Sequence, residues 1–112
     1  MKTCEKTYNC PIEATMELIG GKYKTIILFH LRDDTLRFNE LRKLIPQATP
    51  KMLTQQLREM EEDNLIARVV YPVVPPKVEY SLTDFGNSII PILDIMCSWG
   101  RNYINGSMKA AR

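Results

Sequence analysis

The chain has 112 residues, 45% of them hydrophobic and 25% charged, which fits one ordinary globular domain and argues against disorder or a second unit. Fifteen Lys and Arg against 13 Asp and Glu give a net charge of +2, which permits a nucleic-acid partner without arguing for one. No apolar run approaches the roughly 20 residues of a membrane span, and the polar stretch from Met1 to Tyr8 lacks the apolar segment of a secretory signal, so a cytoplasmic location is expected. The three cysteines, Cys4, Cys10 and Cys97, are odd in number and unpaired in spacing, which suits free thiols rather than a secreted disulfide scaffold.

The first helical pattern begins at Pro11, a good first-turn residue, and carries Ile12, Met16 and Ile19 at helical spacing. Gly20-Gly21 ends it. A second helix is expected from about Lys22 to Leu31, with Tyr23, Ile26, Ile27 and Leu31 as its apolar stripe and Asp33-Asp34-Thr35 as the following turn. Two short helices come next. Asn39 is expected to cap the first, with Leu41, Leu44 and Ile45 on its apolar side and Pro46 ending it. Thr49 as N-cap and Pro50 as first helical residue open the second, which should run to about Asp63, with Asn64 in the left-handed cap position. A helix, a short turn and a second helix make a helix-turn-helix.

The pattern then changes to β-branched residues from Ile66 to Val74 and to alternation from Val78 to Leu82. Pro75-Pro76-Lys77 between them reads as an open loop, and two strands around such a loop form a wing. Thr83 caps a last helix, Asp84 to Ile104, which Pro91 should kink. It carries Phe85, Ile89, Ile92, Leu93, Met96, Trp99 and Tyr103, with Ile90 and Ile95 off the main stripe. That arc is wider than one core contact needs.

On the helix from Thr49 to Asp63, Leu53, Leu57 and Met60 fall within about 60° of one another and define the buried side. Lys51, Gln55, Arg58 and Glu62 lie opposite, with Thr54 beside them. Lys51, Thr54, Gln55 and Arg58 are long or polar donors, suited to the base edges that a recognition helix meets; Gln can pair with adenine and Arg with guanine through two hydrogen bonds each. A solvated polar face is the plain alternative for any surface helix, and here the turn before it and the wing after it favour DNA. Arg37 and Arg42 near the first helix of the pair, and Lys77 at the wing, are candidate phosphate contacts, with scattered surface cations as the alternative. Glu59, Glu61, Glu62 and Asp63 at the far end would keep that end away from phosphate.

Enzymatic and metal readings find little support. His30, the single histidine, sits among Ile27, Leu28, Phe29 and Leu31 and reads as a partly buried structural residue. No C-x-x-C, H-E-x-x-H or glycine-rich phosphate loop is present, and Cys4 and Cys10 have no histidine nearby. No cofactor is expected. Cys10 stands just before a helix N-terminus, where a thiol can become reactive; a buried, inert thiol is the alternative. Cys97 reads as packing.

Several segments together resemble the HxlR-type regulators, a branch of the MarR-like winged-helix transcription factors. They are Cys10-Pro11-Ile12-Glu13, Ile19-Gly20-Gly21-Lys22, Arg37-Phe38-Asn39-Glu40-Leu41-Arg42, Lys51 through Glu59, Pro75 through Thr83, and Trp99-Gly100. They run in order over about residues 10–100. The chain departs from the family pattern at Tyr23, where tryptophan is usual, at Asn64, where glycine is frequent, and at Asp33-Asp34, where a glycine turn is common. The resemblance implies a homodimer joined by the first and last helices, with two recognition helices in successive major grooves. It also implies that the cysteine matching Cys10 is, in several members, a sensor of oxidants or electrophiles.

The expected architecture is therefore mainly α with a small β wing: an arm over 1–9, a winged helix-turn-helix with dimerisation helices over 10–106, and a tail over 107–112. The expected function is a DNA-binding regulator of repressor type, acting as a homodimer on a palindromic operator, with a winged helix used only for protein interaction as the rival. Arg37, Asn39, Arg42, Thr49, Lys51, Thr54, Gln55, Arg58 and Lys77 are the candidate DNA contacts. Cys10 is the candidate sensor, and Ile12, Met16, Ile92, Met96, Trp99 and Tyr103 are the candidate dimer interface.

Overall fold

The computed structural model describes residues 7–106. Cys4, most of the expected arm and the tail 107–112 lie outside the described residues. The element order is α1 (Pro11–Ile19), α2 (Lys24–His30), β1 (Leu36–Arg37), α3 (Phe38–Leu44), α4 (Pro50–Glu62), β2 (Ile66–Tyr71), β3 (Lys77–Leu82), α5 (Asp84–Asn87) and α6 (Ile90–Ile104).

The core gathers one stripe from each of α2, α3 and α4. Ile27, Leu28, Leu41, Ile45, Leu53, Leu57, Met60, Leu65 and Ile66 are excluded from solvent. Burial of this kind supplies most of the stability of such short helices, because three turns or fewer are marginal in water alone. Thr49 caps α4 as expected: its hydroxyl accepts from the Met52 backbone N–H at 3.1 Å. Asn64 follows with φ 62°, the left-handed conformation that closes the helix and turns the chain into β2.

The sheet is antiparallel with order β1-β3-β2. Ile66 pairs with Leu82 and Tyr71 with Lys77, while Leu36 and Arg37 pair with Tyr80 and Glu79. The strand β1 was not expected, since two residues show no alternation and owe their conformation to β3. The wing strands are shifted against expectation. β2 ends at Tyr71 rather than Val74, and β3 begins at Lys77, so Pro72 to Pro76 form the loop and Lys77 belongs to a strand.

Four other expectations are corrected. The second helix starts at Lys24, with Tyr23 as its N-cap and the Tyr23 backbone N–H, which has no acceptor within the helix, donating to Gln56 Oε1 at 2.8 Å. Asn39 does not cap α3 but lies inside its first turn; Arg37 precedes the helix and donates its backbone N–H to Glu40 Oε1 at 2.8 Å. Leu44 is exposed instead of joining Leu41 and Ile45 in the core. The last helix is two helices, α5 and α6, separated at Ser88-Ile89. The break lies in the turn before Pro91, which has no N–H for the carbonyl of Asn87, the last residue of α5, so the disturbance expected from Pro91 takes the form of an interruption, with Pro91 in the first turn of α6.

The short helix α5 is set by Thr83, whose hydroxyl accepts from the Gly86 N–H at 2.9 Å. Gly86 is required there: a Cβ would stand 1.9 Å from the Leu65 carbonyl oxygen. That close approach seats α5 against the start of β2.

A candidate nucleic-acid interface

The segment from Phe38 to Glu62 is a helix, a turn and a longer helix, and the wing follows it directly. Leu53, Leu57 and Met60 hold one side of α4 in the core, so its opposite side faces solvent by necessity. Lys51, Thr54, Gln55 and Arg58 are all exposed on that side. With Phe38 and Pro50 they line one open hollow. Asn39 and Arg42, with Lys43, Pro46 and Ala48, line another beside α3. The structure thus brings together Lys51, Thr54, Gln55 and Arg58 as one cluster, and Asn39 and Arg42 as a second. Lys43 joins the latter unforeseen, although its cationic neighbour Arg42 was a signal for it.

The remaining candidates stand apart from these clusters or are already engaged. Thr49 is exposed, but its hydroxyl serves as the α4 cap. Arg37 is exposed at the start of α3, with its Nε 3.9 Å from Glu40 Oε1. Lys77 is partly buried at the base of the wing loop, its ammonium 3.3 Å from Glu79 Oε2 and 5.2 Å from the centre of the Tyr71 ring.

What aims α4 is a set of contacts that sequence patterning missed. Lys24 is only 6% exposed, and its ammonium lies 2.9 Å from Glu59 Oε1 on α4. Its stem crosses Gly21, where a Cβ would stand 2.8 Å from Lys24 Cε. Gly21 therefore does more than end α1. The hydrogen bond and charge of Lys24 hold the Glu59 carboxyl below the usual carboxylate range, against a smaller opposing effect of burial, with Gln55 adding a further hydrogen bond. The Tyr23 hydroxyl donates to the Gln47 carbonyl at 3.1 Å and so ties α2 to the turn before α4. A lysine three residues before Ile27 and four before Leu28, on their stripe, was the available sign that it would be buried.

A second exposed surface has the opposite chemistry. Ile92, Met96, Trp99 and Tyr103 on α6 are all exposed, Trp99 at 59%, and Ile95 at 70% and Ile104 extend the face. Trp99 and Tyr103 stack with ring centres 5.7 Å apart. On α1, Ile12 and Met16 are likewise exposed, Ile12 at 68%. Arg32, following α2, pairs with Asp94 on α6 and so fixes α6 to the helical body. Cys10 is exposed at the start of α1, and its backbone N–H donates to Glu13 Oε1 at 3.0 Å. Cys97 is partly buried and accepts from Arg101 at 3.5 Å, and His30 is partly buried at the end of α2.

Among the described residues no group of three or more His, Cys, Asp and Glu could hold a metal ion, and no helix is long and apolar enough to cross a membrane.

The family model for HxlR-like helix-turn-helix proteins matches residues 18–108. The chain belongs to the HxlR-like family. It is 55% identical over 101 residues to the HTH-type transcriptional regulator YtcD of Bacillus subtilis, covering 90% of this chain and 80% of that protein. A crystal structure of YtcD superposes with a TM-score of 0.81 at 54% identity, covering 86% of this chain and 98% of the other. The redox regulator HypR in its oxidised form gives a TM-score of 0.81 at 48% identity over 91% of this chain and all, 100%, of that one. A MarR-family regulator from Porphyromonas gingivalis gives 0.80 at 35% identity over 86% of this chain and 94% of its own. This HxlR-like chain is accordingly a transcriptional regulator with a winged helix-turn-helix DNA-binding fold, and its relatives are regulators rather than enzymes.

Proposed function

We propose that the protein is a homodimeric repressor that binds a palindromic operator and whose affinity for DNA responds to modification of Cys10. The observation that carries the DNA reading is the cluster of Lys51, Thr54, Gln55 and Arg58 on the one face of α4 that packing leaves free. All four are hydrogen-bond donors, and a helix of 13 residues fits the major groove. Arg37, Asn39, Arg42, the Thr49 backbone region and Lys77 would meet the phosphates flanking it.

The apolar faces of α1 and α6 support the dimer, since a soluble protein rarely exposes a contiguous apolar patch of this kind to water. Residues 10–106 would form the working unit, with the arm and tail outside it. Two copies related by a two-fold axis would present two α4 helices to half-sites about 34 Å apart, which is why a palindrome is the expected operator.

Cys10 is exposed and precedes the helix that would lie in the dimer interface. Oxidation or alkylation there would shift α1 against α6 and change the spacing of the two α4 helices. The redox regulator HypR, similar over most of the chain, supports this part of the reading.

The test is a binding titration with DNA from upstream of the protein's own gene and with unrelated DNA. A complex specific to the upstream segment is expected; equal affinity for both, or none, would leave a winged helix used for protein contacts. The same titration with and without diamide, on wild type and Cys10→Ser, tests the thiol. Equal responses in the two proteins remove Cys10 as the sensor.

A further inference from the structure

We infer that Tyr23 and Lys24 are positioning residues that couple α1 to α4, so that a displacement of α1 is carried into the helix that reads DNA. The inference rests on the reading of α4 as the recognition helix and names the internal route by which that helix is regulated, whatever signal moves α1.

Two adjacent residues reach three points along α4 and its approach. The Lys24 ammonium lies 2.9 Å from Glu59 Oε1, the Tyr23 backbone N–H donates to Gln56 Oε1 at 2.8 Å, and the Tyr23 hydroxyl donates to the Gln47 carbonyl at 3.1 Å. Gln56 and Glu59 are neighbours on one side of α4, and Gln47 belongs to the turn before it. The same two residues are fastened to the end of α1. The Lys24 N–H donates to the Gly21 carbonyl at 3.3 Å, and the Lys24 stem fills the space that a Cβ on Gly21 would need. The Gly20 N–H in turn donates to the Met16 carbonyl on α1 at 2.7 Å. Lys24 is buried, so water scarcely competes with Glu59 for its ammonium.

Elsewhere α1 is loosely held. Ile19, its last residue, is the one buried residue of the helix, whereas Cys10, Ile12 and Met16 toward its other end are exposed. Between α1 and α5 lies an open hollow of about 180 Å³, with Ala14, Thr15 and Leu18 on one wall and Phe85 and Ile89 on the other. A helix packed at one end and bordered by open space can tilt about that end. That end is where Gly20 and Gly21 meet Tyr23 and Lys24. A close-packed interior does not deform to absorb such a tilt, so these contacts pass it to their partners on α4.

Coupling is reciprocal: if displacing α1 weakens the hold of α4 on DNA, bound DNA resists the displacement and opening of α1 by the same factor. The experiment is hydrogen–deuterium exchange of the full chain, read by mass spectrometry of its peptides, alone and saturated with the duplex from upstream of its own gene. Wild type, Tyr23→Phe and the double variant Lys24→Met with Glu59→Met are compared. The double variant removes both charges together, so no buried lysine is left unpaired, and Tyr23→Phe removes a single hydrogen bond should the double variant not fold. DNA is expected to slow exchange over residues 11–19 of wild type by at least about fivefold, the low end of ordinary coupling between sites. The slowing should drop below about twofold in the double variant and to an intermediate value in Tyr23→Phe, with residues 50–62 slowed equally in all three. A purely structural role would speed exchange of α1 with and without DNA alike and leave the ratio unchanged. Wild type in which DNA slows α4 but not α1, or variants in which α1 is slowed as much as in wild type, overturns the inference and leaves the interface standing. Wild type in which DNA does not slow α4 overturns both.

Discussion

Two helices each leave one face to water, and the two faces carry different kinds of information. The free side of α4 is polar, with Lys51, Thr54, Gln55 and Arg58, and water satisfies it without any partner. The free side of α6 is apolar, with Ile92, Ile95, Met96, Trp99, Tyr103 and Ile104, and water does not satisfy it. A polar face becomes a DNA-binding candidate only through its place in the fold, after a turn and before a wing. An apolar face asks for a cover by its own chemistry, whatever the fold.

Among single substitutions the largest expected effect lies on α6. Trp99→Asp places a charge in the centre of the proposed dimer contact and should weaken self-association by about 4 kcal/mol, roughly a thousandfold. Sedimentation equilibrium measures this directly; wild type that stays monomeric at micromolar concentration would show that α6 is covered by something other than a second copy. The hidden side of α4 comes next. Leu57→Ala removes a side chain that is fully enclosed and should lower stability by about 3 kcal/mol, read from the denaturant midpoint. An unchanged midpoint would mean that the two sides of α4 have been assigned the wrong way round. The smallest effect belongs to Lys77. Its ammonium is already shared with Glu79, so Lys77→Ala should flatten the salt dependence of DNA binding by at most about one unit and weaken all sequences alike. A loss confined to one sequence would make it a base reader.

Most of the fold was legible wherever the signal was local. Thr49 and Pro50 announce α4, Leu53, Leu57 and Met60 give its buried side, and Asn64 marks its end. Signals that depend on distant residues were not legible. The strand β1 exists only because Tyr80 and Glu79 pair with it. The break between α5 and α6 falls in the turn before Pro91, where the sequence places a disturbance, but the seating of Gly86 against Leu65 is something no periodicity reports. Asn39 reads as a cap by residue type, yet Glu40 already satisfies the Arg37 N–H and the helix begins earlier. The same division holds for the site. Side chains on the free face of α4 follow from helical geometry alone, whereas the Lys24–Glu59 pair joins positions 35 apart and needed the packed structure. The expectation for Lys77 came from its place beside the two prolines, while Glu79, two residues on along β3, and Tyr71, its partner across the wing, now occupy it.

The central claim is that the free face of α4 reads DNA. Its most direct test is a titration of wild type and of Gln55→Ala with Arg58→Ala combined, against the upstream segment and unrelated DNA at one salt concentration. Loss of about 2–6 kcal/mol on the upstream segment is expected, since each lost base contact is worth about 1–3 kcal/mol, with a much smaller loss on unrelated DNA. Undiminished affinity of the double variant for the upstream segment would contradict the claim.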